Sequence, residues 1–115
     1  MTARDLAEQF IAAYNRPESD VYALFSPAVD WIERPGGRRG GWPALEAALR
    51  AVRDEMTDLH LDVRSITAGG DDAVIECGWS AVRRADGVRI TADVLWVLSF
   101  RDGLIVKEHD YAIFH

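Results

Sequence analysis

The sequence predicts an α+β fold in which helices come first and an antiparallel meander follows. Three observations carry that expectation. Apolar residues recur at helical spacing up to Met56, they alternate with polar ones from Leu59 onward, and the alternating part is broken at Gly69-Gly70-Asp71, Asp86-Gly87 and Asp102-Gly103. Glycine and aspartate tolerate positive φ, so those breaks read as hairpin turns. Helices followed by a run of strands pack as a layer over one face of a sheet, and a curved sheet closed over in this way can enclose a pocket.

The elements follow in order. Leu6, Phe10, Ala13 and Tyr14 mark a first helix behind a Thr2 cap, and Asn15-Arg16-Pro17 ends it. Ser19 or Asp20 can cap a second, shorter helix carrying Val21, Leu24 and Phe25, which Ser26-Pro27 breaks. A short strand over 29–34 comes next, then a glycine-rich loop, Pro35 to Gly41, that is expected to hold no regular structure. Leu45, Ala48, Leu49, Val52 and Met56 mark a third helix with Pro43 in its first turn. Four strands over 59–68, 72–84, 88–101 and 104–114 complete the chain.

At 115 residues, 49% hydrophobic and 28% charged, the chain is a single domain over 1–115 able to bury a core without a metal or disulfide. A formal net charge of -6 argues against nucleic acid as partner. No apolar run approaches a membrane span, the start of the chain lacks the apolar core of a signal peptide, and the lone Cys77 cannot form an internal disulfide. A cytoplasmic location is expected. His60, His109 and His115 show no metal-ligand spacing, so no metal is expected.

The last strand carries the chemistry. Alternation puts Glu108 and Asp110 on one face with Leu104, Val106, Ala112 and Phe114, opposite Ile105, Lys107, His109, Tyr111 and Ile113. Both faces are mixed, so alternation leaves open which is inward. If the acidic one lines a cavity, its carboxyl pKa values rise and the pair become candidate acids or bases. On the preceding strand, Ile90, Ala92, Val94, Trp96, Leu98 and Phe100 form a wholly apolar, inward face. The opposite face, with Asp93, Leu95 and Val97, is half greasy and suggests a homodimer through the outer side of the sheet. Phe10, Tyr14, Trp31, Trp79 and Trp96 supply flat walls for a ligand or ordinary core packing. Arg34, Arg38 and Arg39 flank the glycine loop; the loop arginines read as solvent-exposed, whereas Arg34 ends a strand near the expected cavity mouth.

The element order, together with Val29-Asp30-Trp31-Ile32-Glu33-Arg34-Pro35, the glycines before the third helix, and Gly103-Leu104-Ile105 leading to His109-Asp110-Tyr111, resembles the NTF2-like cone fold and its SnoaL-like branch. The resemblance specifies fold better than activity, because the superfamily holds isomerases, cyclases, epoxide hydrolases and binding modules. Against steroid isomerases of this fold, Phe10, Arg34 and Trp96 stand where the family keeps its catalytic tyrosine and two aspartates. Against limonene-epoxide-hydrolase-like proteins, Asp110-Tyr111 matches, but Glu76-Cys77-Gly78-Trp79 replaces their other charges. SnoaL-type cyclases also use an acid on the last strand as base, so the resemblance implies an inward, basic Asp110. The expectation is thus a cofactor-free acid/base enzyme of cyclase, isomerase or hydrolase type acting on a small, largely apolar molecule. Asp110 and Glu108 would be catalytic, and Phe10, Tyr14, Trp31, Arg34, Trp79 and Trp96 would bind substrate. The alternative is a non-catalytic ligand-binding or dimerisation module.

Overall fold

The computed structural model describes Met1–His115 as two α-helices, one 3-10 turn and a six-stranded sheet. Helix α1 (Ala3–Tyr14) opens on a capping box: the Asp5 N–H donates to Thr2 Oγ1 at 3.1 Å and the Thr2 N–H to the Asp5 carboxylate at 3.0 Å. Each bond satisfies an amide that the helix start leaves free. Ala3, Ala7 and Phe10 form its buried face. At its far end the Asn15 side chain accepts from the Leu61 N–H at 2.7 Å, pinning α1 to the sheet and fixing where Phe10 and Tyr14 reach.

The expected second helix is a single 3-10 turn, Val21–Leu24, and Phe25 opens strand β1 (Phe25–Arg34) instead. Pro27 drives its predecessor Ser26 into extended backbone, and the few residues left before it are too short a run to repay helix nucleation. The structure therefore has two α-helices rather than three. The glycine loop also holds more order than expected. The Gly37 N–H donates to the Glu33 carbonyl at 2.8 Å, Gly37 takes φ 75°, and Arg39–Gly40 form a two-residue strand β2 paired with Trp31 and Ile32. Helix α2 (Trp42–Glu55) follows with Pro43 in its first turn, as expected. Strand β3 (Met56–Gly69) starts three residues ahead of the alternating pattern. Asp58 sits at φ 54°, and the register shifts between Thr57 and His60, a bulge that hides the period of two.

Strands β4 (Asp72–Arg83), β5 (Arg89–Arg101) and β6 (Leu104–Phe114) complete a sheet of order β2-β1-β6-β5-β4-β3. All neighbours are antiparallel except β1 and β6, which run parallel. The sheet is thus mixed, curved and unclosed, with α1 and α2 on one face. Ala92, Val94, Trp96, Leu98 and Phe100 of β5 are all buried there, the inward face that their alternation predicts.

Strand β6 departs from simple alternation in a way that bears on the site. The ladder pairs Phe100 with Ile105 but Ser99 with Lys107, so Val106 is an extra residue, a bulge. Below the bulge Ile105 points inward, and beyond it Glu108 does. The two faces looked equally mixed because the strand exchanges faces at Val106.

Candidate functional site

Parallel pairing sets Trp31 beside Glu108 and Glu33 beside Asp110, while antiparallel pairing sets Leu98 opposite Glu108 and Trp96 opposite Asp110. Side chains in register on neighbouring strands share a face. Trp31, Glu33, Trp96, Glu108 and Asp110 therefore converge on the concave side. There they line a cavity of about 130 Å³ whose 17 lining residues include 13 hydrophobic ones. Helix α1 contributes Phe10 and Tyr14, α2 contributes Leu45, Ala48, Leu49 and Val52, and Trp79, Val94, Ala112 and Phe114 come from the sheet.

Glu108 is the one charged residue in the buried set, 3% exposed, and its Oε1 has no hydrogen-bond partner. Burial pushes its pKa well above the usual glutamate value, and the adjoining Asp110 carboxyl raises it further. Asp110 is less buried. Desolvation raises its pKa as well, while Glu108 and the Trp31 indole favour its charged form. Two facing carboxyls in a poorly solvated site cannot both ionise without strong repulsion, so ionising one disfavours ionising the other, and the more buried Glu108 is the one held neutral more strongly.

Glu33 and Arg38 sit at the rim. Arg38 Nε donates to Glu33 Oε1 at 2.8 Å and Nη2 to Oε2 at 2.9 Å, a two-pronged ion pair. The same guanidinium lies 5.5 Å from the centroid of the Trp31 ring. Tyr14 Oη accepts from Trp79 Nε1 at 2.9 Å, which leaves the tyrosine its own proton to donate. Burial holds that phenol neutral by raising its pKa. Phe10 packs edge-on against Trp96, with centroids 5.3 Å apart, and closes the inner end.

Of the residues singled out in the sequence, Phe10, Tyr14, Trp31, Trp79, Trp96, Glu108 and Asp110 all line this cavity, and Arg34 does not. Arg34 pairs in register with Tyr111 and lies 5.7 Å from that ring, on the outer side of the sheet. Ending a strand near the mouth was the wrong criterion. Arg34 alternates with Trp31 and Glu33 and so takes the opposite face. Alternation from Trp31 signals Glu33, which sequence reasoning passed over. Arg38 carried no such signal, because its position depends on the tight turn that returns the chain from Glu33. The buried Cys77 has its thiol pKa pushed up to about 11 by desolvation, so it stays protonated. No three His, Cys, Asp or Glu side chains converge in a way that could hold a metal ion.

The model of the SnoaL-like domain matches residues 7–108 of this chain. The chain belongs to the SnoaL-like domain family. Among solved structures this SnoaL-like chain is similar to AclR, a candidate hydroxylase from Streptomyces galilaeus, at 21% identity and TM-score 0.83, over 96% of this chain and 77% of that one. It is also similar to IdmH, a candidate polyketide cyclase from Streptomyces antibioticus, at 15% identity and TM-score 0.81, over 99% and 92% of the two chains. An NTF2-like protein from Burkholderia thailandensis shares 19% identity at TM-score 0.80, over 98% and 92%. Identities this low establish a common fold alone. No curated protein matches the sequence. No helix is long and apolar enough to cross a membrane.

Proposed function

We propose that this SnoaL-like domain is a cofactor-independent acid/base enzyme acting on a small, largely apolar metabolite held in the cone. One observation carries the reading: a buried carboxyl with an unpartnered oxygen, Glu108, faces an aromatic-lined cavity beside a second, less buried carboxyl. A group in such surroundings costs stability whatever its role, and its presence in the wall of a cavity supports a functional use. The fold it shares with a candidate polyketide cyclase and a candidate hydroxylase is compatible with this chemistry.

In this reading Asp110, the more accessible and more readily ionised member, takes a proton from a carbon next to a carbonyl. The C–H electron pair moves toward the carbonyl oxygen, forming an enolate. Tyr14 or protonated Glu108 donates a hydrogen bond to that oxygen. Where the enolate is conjugated with a double bond, returning the proton from Asp110 to the far carbon completes an isomerisation; attack of the enolate carbon on a second carbonyl, whose oxygen then takes the proton from Asp110, completes a cyclisation. The raised pKa of Asp110 makes it a stronger base than an exposed aspartate, and the apolar walls exclude competing water.

The test is the exchange of α-hydrogens of 2-tetralone for deuterium, followed by NMR. The protein should accelerate exchange, and Asp110→Asn should lower that acceleration by about 10²–10⁴-fold, the usual worth of a positioned base. Equal acceleration by the variant would remove Asp110 from the role. No acceleration by the unaltered protein would favour the alternative, a non-catalytic ligand-binding module. We further infer a homodimer through the outer sheet face, where Tyr111 and Ile113 remain exposed beside Leu95 and the Arg64–Asp93 ion pair.

A further inference from the structure

We propose that the cavity selects an organic cation: an apolar metabolite bearing a protonated amine, with Glu108 and Asp110 as its counter-ion and the aromatic rings as its walls. This rests on the cavity being the ligand site of the proposed function. It adds the charge of the ligand, which the acid/base reading leaves open.

A charge count decides the sign. The ionisable groups on the cavity are Glu33, Arg38, Glu108, Asp110 and the neutral Tyr14 hydroxyl; α2 brings only aliphatic side chains. Glu33 and Arg38 bind each other through both prongs and sum to zero. Glu108 and Asp110 are left with no cation paired to them, so any charge this poorly solvated, mostly apolar space carries is negative. A neutral ligand leaves that charge uncompensated after displacing water, and an anion adds a second. A monocation cancels it. Glu108 Oε1, buried and unpartnered, is the acceptor such a ligand would find.

The walls agree with the charge. Aromatic faces attract organic cations, more strongly when water is excluded. One face of this cavity already holds a cation in that way, since the Arg38 guanidinium lies over Trp31 at 5.5 Å. Trp96 and Tyr14, with ring centroids 5.4 Å apart, offer further faces next to the carboxyl pair.

Three probes of one size test the proposal at neutral pH: benzylammonium, benzyl alcohol and benzoate. Binding is read from quenching of tryptophan fluorescence, because three of the four tryptophans line the cavity. Benzylammonium should bind at least about tenfold more tightly than benzyl alcohol, a difference of about 1.4 kcal/mol. Benzoate should bind most weakly. Asp110→Asn, which removes the more readily ionised carboxyl, should weaken the preference for the ammonium, and Asp110→Asn combined with Glu108→Gln should abolish it, while benzyl alcohol still binds and the near-UV circular dichroism is unchanged. If neither variant folds, the order of the three probes carries the test. Equal affinities, benzoate binding tightest through Arg38, binding of none of the three, or a preference that survives in both variants each overturn the proposal. Tetralone exchange on the same samples separates the two readings. Exchange without cation preference removes the selectivity alone, and cation preference without exchange removes the acid/base step alone.

Discussion

Glu108 is the residue where stability and chemistry pull in opposite directions. Its pKa is raised on folding from the ordinary 4.5, and Asp110's from 3.8, both first by burial. A carboxyl whose folded pKa lies above its unfolded one binds more protons folded than unfolded. Its stabilising contribution is complete below the unfolded value and is lost as pH rises through the folded value. Thermal stability should therefore fall as pH is raised above about 4.5, a trend set by this pair. Asp86 and Asp93, held low by Arg83 and Arg64, act in the other direction and below the ordinary carboxylate range. Glu108→Gln removes the titrating group, so its melting temperature should vary less with pH and exceed the parent's at pH 8. The gain over the parent should grow by about 1.4 kcal/mol for each pH unit between the unfolded and the folded pKa of the glutamate. Scanning calorimetry across pH checks both. A parent whose stability rises from pH 5 to 8 would contradict the inward, desolvated position of this carboxyl.

At the scale of elements, the turn between β1 and β2 decides which charges reach the cavity. Gly40 closes that turn onto α2: a Cβ built there would stand 2.9 Å from Ala44 Cβ, closer than such atoms approach in real structures. Gly40→Ala should therefore destabilise the protein by about 1–3 kcal/mol, the range for forced overpacking. By displacing the β2 segment it should also disturb the Glu33–Arg38 pair. A denaturant melt reads the first effect, and benzyl alcohol binding reads the second. An unchanged midpoint would show that α2 shifts without cost.

The same turn marks the limit of what the sequence reveals. Alternation along β5 identified its buried face correctly, because that strand is regular over its whole length. The irregular strands were harder to read. In β6 the bulge at Val106 exchanges the faces, so Ile105 and Glu108 share an inner side that a strict period of two assigns to opposite sides. In β3 the bulge at Asp58 hid the start of the strand. Pro27 was recognised as a breaker, yet its effect on Ser26 was to extend the chain, and Phe25 became the first residue of a strand. Arg38 reaches the cavity through a hairpin closed by a glycine at positive φ, a geometry that glycine permits but composition does not specify.

For the whole molecule, association is a balance between a half-apolar outer face and a net charge of -6. Tyr111 and Ile113 are 40% and 70% exposed on that face, Tyr111 opposite Leu95 and Ile113 opposite Asp93 of the Arg64–Asp93 pair. A two-fold axis across the face would place each apolar patch on its copy and bury both. A specific interface needs about 800 Å² from each partner, so it would have to draw on strands β4 to β6 together. The charge opposes association, since each copy brings the same negative sign, and salt screens that repulsion. Sedimentation velocity at micromolar protein should therefore show a dimer that strengthens between low and moderate salt. Ile113→Asp should shift it to monomer by placing two like charges across the axis. Because Ile113 points away from the cavity while its neighbour Phe114 packs against Trp79 within it, the variant should still bind benzyl alcohol. A protein that is monomeric at every salt concentration would leave the outer face uncovered and overturn the assignment. Loss of ligand binding together with the dimer would instead show that Phe114 needs the second copy to hold the mouth of the cavity in place.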